Sequence, residues 1–265
     1  MGKNRLTQLL KNKEGNILSI FFTAGYPTKE STVPIIEALD KNGVDLVEIG
    51  IPFSDPMADG PVIQSSSSKA LQNGMTLKIL LQQVREARNR VPDMPFILMG
   101  YLNPVMKYGI EKFFKDAHEA GVDALIIPDL PFDDYINEFK GLSSLYNLPI
   151  IKLITPETSE ERIRLIDSHS DGFIYMVSSA STTGAKESYN PEQVNYFKRI
   201  NEMKLNHPRL IGFGVSNNVT LNQAFEHSSG AIIGSHFIRC LDKANGDPDK
   251  AVEILLQSLS LSATH

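Results

Sequence analysis

Leu46-Val47-Glu48-Ile49-Gly50-Ile51-Pro52-Phe53-Ser54-Asp55-Pro56-Met57-Ala58-Asp59-Gly60-Pro61 begins as an apolar, β-branched run and ends as a rigid acidic loop. The run reads as a buried strand that stops at Gly50. A carboxylate inside such a strand is expensive unless it is paired or functional. Strand alternation puts Glu48 on one face with Leu46 and Gly50, and Val47 and Ile49 on the other. The loop that follows carries three prolines, Asp55 and Asp59, and Pro61 suits the first turn of a helix. A strand, a functional loop and a helix in succession form the repeating unit of an α/β fold.

That unit recurs along the chain. Apolar runs without strict alternation, as expected for strands covered on both faces, occupy 18–23, 46–50, 96–99, 124–127, 150–154, 173–177, 210–213 and 231–233. Helical spacing of apolar residues lies between them, in 34–39, 77–84, 113–120, 136–145, 163–166, 194–200 and 219–225, and 252–259 closes the series. Lys3 to Lys13 reads as an extra helix ahead of the first strand, and Met57 to Asn73 as a helical piece after the second. Asp133 and Ser159 are expected N-caps. Gly43, Gly121 and Asp171-Gly172 mark helix-to-strand turns. Eight strands alternating with eight helices predict an α/β fold, a (β/α)8 TIM barrel with an extra N-terminal helix, over residues 1–265 as one domain. An open doubly wound sheet is the alternative, and the eight repeats favour closure.

Composition narrows the function. Among 265 residues there are 26 basic and 31 acidic side chains, for a net charge of −5, and no basic run suited to nucleic acid. Cys240 is the only cysteine, which excludes an intramolecular disulfide and fits a reducing, cytoplasmic setting. The six histidines lack metal-ligand spacing, so no metal site is expected. Met1 to Lys13 mixes charges with leucines and is not read as a secretory signal. No apolar run approaches the roughly 20 residues a membrane helix needs.

In a barrel the chemistry lies at the C-terminal ends of the strands. Glu48 pointing inward there can act as acid or base, and the alternative is a carboxylate satisfied by backbone amides. Asp59 is either a second functional carboxylate or a cap ahead of Pro61. Tyr175 is either a phenol at the barrel mouth or a core aromatic. Gly212-Phe213-Gly214-Val215-Ser216 and Gly234-Ser235-His236 follow strands 7 and 8, where barrels hold phosphate with backbone N–H groups and a helix N-terminus. Ser178 to Asn190 is a candidate lid, and Gly184 could add an amide from it. Lys152 reads as a lysine whose stem packs while its ammonium reaches solvent, rather than as a Schiff-base former.

These residues resemble those of the tryptophan synthase alpha chain family. The stretch 46–61 is similar to its signature nearly residue for residue, and the resemblance spans the whole chain. Phe22-Thr23-Ala24-Gly25-Tyr26-Pro27, Asn103-Pro104, Pro128-Asp129-Leu130-Pro131, Thr183-Gly184 and 212–216 fall in the family's order. The resemblance implies a carbon–carbon lyase of tryptophan biosynthesis. It would cleave indole-3-glycerol phosphate to indole and glyceraldehyde 3-phosphate by a retro-aldol reaction and pass indole to a beta chain. It further implies Glu48 as general acid–base, Asp59 on the indole N–H, and Tyr175 beside Glu48. Gly184, Gly214, Gly234 and Ser235 would contact the phosphate, and Thr183 would help position Asp59. Phe22 and Leu125 are expected in the indole pocket, Leu125 from barrel geometry. No cofactor is expected in this chain; pyridoxal phosphate would belong to the beta chain of an alpha2beta2 heterotetramer, contacted through 52–60 and 101–109. Two departures stand out. Tyr26 replaces the Asp of many members, and the lid lacks the Arg that many carry near its start.

Overall fold

A computed structural model of the chain describes residues 4–178 and 188–261. Eight parallel strands close into a barrel in sequence order: β1 Ile17–Thr23, β2 Leu46–Gly50, β3 Phe96–Met99, β4 Ala124–Ile126, β5 Ile150–Ile154, β6 Ile174–Val177, β7 Arg209–Gly212 and β8 Gly230–Ile233. The open-sheet alternative is thereby excluded, because β8 pairs back onto β1 through Ile17↔Gly230 to Ile20↔Ile233.

The helices are α1 Arg5–Asn12, α2 Thr32–Lys41, α3 Pro61–Gln72, α4 Leu77–Arg90, α5 Leu102–Tyr108, α6 Ile110–Ala120, α7 Phe132–Asp134, a π-helical turn Tyr135–Phe139, α8 Lys140–Tyr146, α9 Glu160–Ser168, α10 Pro191–Glu202, α11 Asn218–His227, α12 Ser235–Lys243 and α13 Pro248–Leu259. Among the described residues no helix is long and apolar enough to cross a membrane. Ser159 caps α9 by accepting the Arg162 N–H at 3.2 Å, as expected. Asp133 does not cap; it lies inside α7, which Pro131 precedes. The helix after β2 begins only at Pro61, with Gly60 at its N-cap.

Period-two alternation sorts the strand side chains into two cores. The inner one holds Leu46, Ile97, Ala124, Ile126, Ile151, Phe173, Tyr175, Leu210 and Ile232, and α1 closes its lower end with Leu6. The outer one, between strands and helices, holds Phe22, Val47, Ile49, Leu98, Leu125 and Ile174 among others. At the lower rim Asp123, just before β4, ties α1 and α4 to the barrel through Arg5 and Arg88 at 3.2 and 2.8 Å.

Candidate active site

At the upper rim, parity decides which side chains meet. Glu48 stands beside Phe21 of β1 and Ile97 of β3, all three facing the barrel interior. It is fully buried. Its Oε1 accepts the Ser19 hydroxyl at 2.9 Å, and its Oε2 has no hydrogen-bond partner among the described residues. Burial pushes its pKa up to about 8, with the Ser19 hydrogen bond acting the other way. A carboxyl in that state holds a proton at neutral pH and can deliver it to a substrate.

Above it, a small cavity is lined by Phe21, Gly50, Asp59, Ile63, Met99 and Tyr101, together with neighbouring loop residues. Glu48 lies one inward position below Gly50 on β2, beneath this floor. Asp59 accepts the Tyr101 hydroxyl at 3.1 Å, and that hydroxyl in turn accepts the Ala58 N–H at 3.0 Å. The Asp59 pKa is pushed up to about 6 by burial, opposed by the Tyr101 hydrogen bond. Asp59 therefore stays mostly ionised at neutral pH while Glu48 stays mostly protonated. Two carboxyls with separated affinities for the proton are the usual arrangement for divided acid and electrostatic roles.

Tyr175 of β6 is buried, and its pKa is raised well above the ordinary phenol value, first by burial and then by the charges of Glu48 and Asp59. It is a neutral hydroxyl, not a base. Its ring crosses to β7, where a side chain at Gly212 would collide with the phenol, so that position has to be glycine.

The loop after β7 turns through two positive φ angles, 70° at Phe213 and 83° at Gly214. Phe213 is held there although a bulky residue disfavours that region, and such strain collects at functional loops. Its carbonyl accepts the Ser178 and Tyr189 hydroxyls at 2.7 and 3.2 Å, so both ends of the strand-6 loop are moored to it. Gly212 pairs with Ile232, so the loops that carry Gly214 and Gly234 leave adjacent strands at the barrel's upper end. Gly234 is the N-cap of α12 and Ser235 its first residue. The N–H groups of a helix's first turn have no partner within the helix, so this helix end suits a phosphate.

Thr183 and Gly184 lie outside the described residues, as does most of the expected lid. Phe22 and Leu125 are corrected by strand parity. Both belong to the outer core against the helices, and their neighbours Phe21 and Ile126 face inward instead. Lys152 is also reassigned. It is half-buried and faces outward beside Ile174, and its ammonium is held by protein groups: it donates to the Ile150 and His169 carbonyls at 3.2 and 2.9 Å and sits 3.8 Å from the Tyr135 ring centre. Burial lowers its pKa to about 8.

Phe21, Ser19 and Tyr101 also belong to the site, though none of them is among the residues expected there. Ser19 left a signal, a hydroxyl in an apolar strand. Tyr101 left none, since its partner lies 42 positions away. Tyr101 directly precedes α5, whose first N–H, at Leu102, is accepted by Asp129 at 2.8 Å.

Comparison with known proteins agrees with this geometry. The family model described as tryptophan synthase alpha chain matches residues 6–263. The tryptophan synthase alpha chain of Phocaeicola vulgatus is 54% identical over 256 residues, covering 97% of this chain and 99% of its own length. That of Parabacteroides distasonis is 56% identical over 256 residues, with coverage of 97% and 99%. The crystal structure of tryptophan synthase subunit alpha from Legionella pneumophila aligns with a TM-score of 0.86 at 35% identity, over 97% of each chain. A closed barrel with its carboxyls gathered at the upper rim and a match along nearly the whole sequence lead to one conclusion: the chain belongs to the tryptophan synthase alpha chain family.

Proposed function

We propose that Glu48 and Asp59 carry out the retro-aldol cleavage of indole-3-glycerol phosphate, the lyase reaction that this family performs. The observation that carries the assignment is the pair itself: a fully buried carboxyl with one unpartnered oxygen lies below a second carboxyl that lines the cavity.

The protonated Glu48 delivers its proton to C3 of the indole ring. Positive charge then develops at the ring nitrogen, and the ionised Asp59 stabilises that N–H. Glu48, now a carboxylate, takes the proton from the hydroxyl on the side-chain carbon joined to the ring. That oxygen's electron pair becomes a carbonyl, the carbon–carbon bond breaks, and its electrons neutralise the ring. Indole and glyceraldehyde 3-phosphate leave, and Glu48 has its proton back. Tyr175, neutral beside the pair, orients substrate by its hydroxyl. The backbone around Gly214, Gly234 and Ser235 holds the phosphate. Thr183 and Gly184, on the strand-6 loop, complete the site when substrate is bound.

We read the chain as one barrel domain that works in the cytoplasm with a beta chain, in an alpha2beta2 complex. The beta chain, not this one, carries pyridoxal phosphate. Two exposed apolar side chains support the contact: Met57 after β2 is 90% exposed, and Met106 on α5 is 58% exposed. Isolated surface apolar groups are ordinary, but two in the successive connections after β2 and β3 suit a covered face. The test is indole release from indole-3-glycerol phosphate by the purified chain, with and without a beta chain. Slow cleavage that rises strongly with the partner is expected. Fast cleavage that ignores the partner would point to a stand-alone lyase.

A further inference from the structure

The interior face of β1 reads Ile17, Ser19, Phe21 and Thr23; Thr23 lies at the upper cavity and pairs with Ser66, whereas Ser19 puts a hydroxyl in the middle of the barrel. Ser19 is fully buried, level with Leu46 on one side and Ile232 on the other. An alanine or valine would fill such a place without the cost of desolvating a hydroxyl. The hydroxyl is used once, as a donor to Glu48 Oε1 at 2.9 Å.

We propose that Ser19 is a positioning residue for the cleavage reaction: it fixes one carboxyl oxygen of Glu48 so that the other, Oε2, is the one that exchanges protons with substrate. This rests on the reading of Glu48 as the acid–base group. The carboxyl has no other hydrogen-bond partner among the described residues, so the Ser19 hydroxyl is the hydrogen bond that resists its rotation. A donor to the ionised form also stabilises the carboxylate that the second half of the reaction requires. The titratable group coupled to it is Tyr175 from β6, on which Asp59 from the β2–α3 loop also acts, and neither of these two is cationic. No cation contributes to the balance that leaves Glu48 at about 8, so the hydroxyl is the one element that restrains burial.

The experiment is the pH dependence of indole release by the full chain and its Ser19→Ala, Ser19→Cys and Glu48→Gln variants. In the wild type, kcat/KM falls on the alkaline side as Glu48 loses its proton, near pH 8. Losing a hydrogen bond to a charged group moves that limb up by about one pH unit in Ser19→Ala and lowers kcat at pH 7 about tenfold, with KM within about twofold. Ser19→Cys leaves no void and donates weakly, so it shifts the limb the same way even if alanine loosens the core. An alkaline limb unchanged in both variants would overturn the proposal, because a packing role moves stability and not the profile. Glu48→Gln separates the two claims. If it cleaves like the wild type, the acid–base reading itself fails; if it is inactive while the Ser19 profiles overlay the wild type, only the positioning role fails.

Discussion

The two ends of the barrel each bury a carboxylate, and they treat it in opposite ways. At the lower rim Asp123 accepts from the Arg5 N–H and guanidinium at 3.3 and 3.2 Å, from Arg88 at 2.8 Å, and from the Phe96 N–H at 2.9 Å. At the upper rim Glu48 has a single hydroxyl and one bare oxygen. Both are shielded from water, so burial alone does not distinguish them. The difference is saturation. A carboxylate with every lone pair engaged beside two guanidinium groups is a structural joint. One left under-satisfied in an apolar barrel keeps its proton at a cost to stability, which is what proton transfer needs.

Glu48→Gln breaks the comparison most sharply. It should lower cleavage by about 10²–10⁴-fold, the range for losing a general acid–base group, and the same substitution should not weaken the fold. The folded carboxyl titrates at about 8, against 4.5 for the unperturbed group. Its protonation therefore favours the folded state. That contribution is fully present below pH 4.5, declines as pH rises, and is gone above about 8. Glutamine carries no such slope. The variant should gain on the wild type between pH 5 and pH 8, by an amount on the order of a few kcal/mol. Urea unfolding at the two pH values measures this; a constant difference would mean that Glu48 is satisfied in the fold.

Asp123→Ala is the mirror experiment. It removes the partner of Arg88, whose pKa burial already lowers to about 10 against the pull of Asp123. Breaking a buried pair while leaving the other charge behind costs about 3–5 kcal/mol. The loss should appear in unfolding while cleavage per folded molecule stays within about twofold of wild type, since the lower face of a barrel serves stability. A variant that unfolds normally but cleaves poorly would erase the division between the two ends.

Legibility in the sequence follows the same physics. β2, β3 and β5 begin and end where the apolar runs do, because a parallel strand buried on both faces is a run with sharp polar limits. Glu48 and Asp59 stood out because a charge in or near such a run is costly. What the sequence hides is any choice between two apolar neighbours. Phe21 and Phe22 differ only in parity, as do Leu125 and Ile126, and only the closed barrel says which of each pair faces inward. α5 was hidden for another reason: its first N–H is held by Asp129 from a different loop, 27 positions away. The π-helical turn at Tyr135–Phe139 likewise interrupts a helix that spacing alone makes continuous.

The gentlest probe of the upper rim is Ser235→Glu. Ser235 opens α12 directly after Gly234, at the upper end of β8, and it is half-buried and at the opposite end of the barrel from Asp123 and its two arginines. A carboxylate at a helix N-terminus is not itself destabilising; it interacts favourably with the helix dipole by about 0.3–1 kcal/mol. The fold should therefore hold, and the unfolding midpoint should move little. For the substrate the same group is an occupant of its phosphate site. Displacing one anion with another there should raise KM roughly tenfold, about 1.4 kcal/mol of binding, and leave kcat nearly unchanged. Added inorganic phosphate should inhibit the wild type competitively and the variant weakly. If KM and phosphate inhibition are both unchanged, the phosphate binds elsewhere on the rim. If kcat falls instead, the α12 end acts on the chemistry of the carboxyl pair, and the upper rim works as one coupled unit rather than as separate acid–base and anchoring parts.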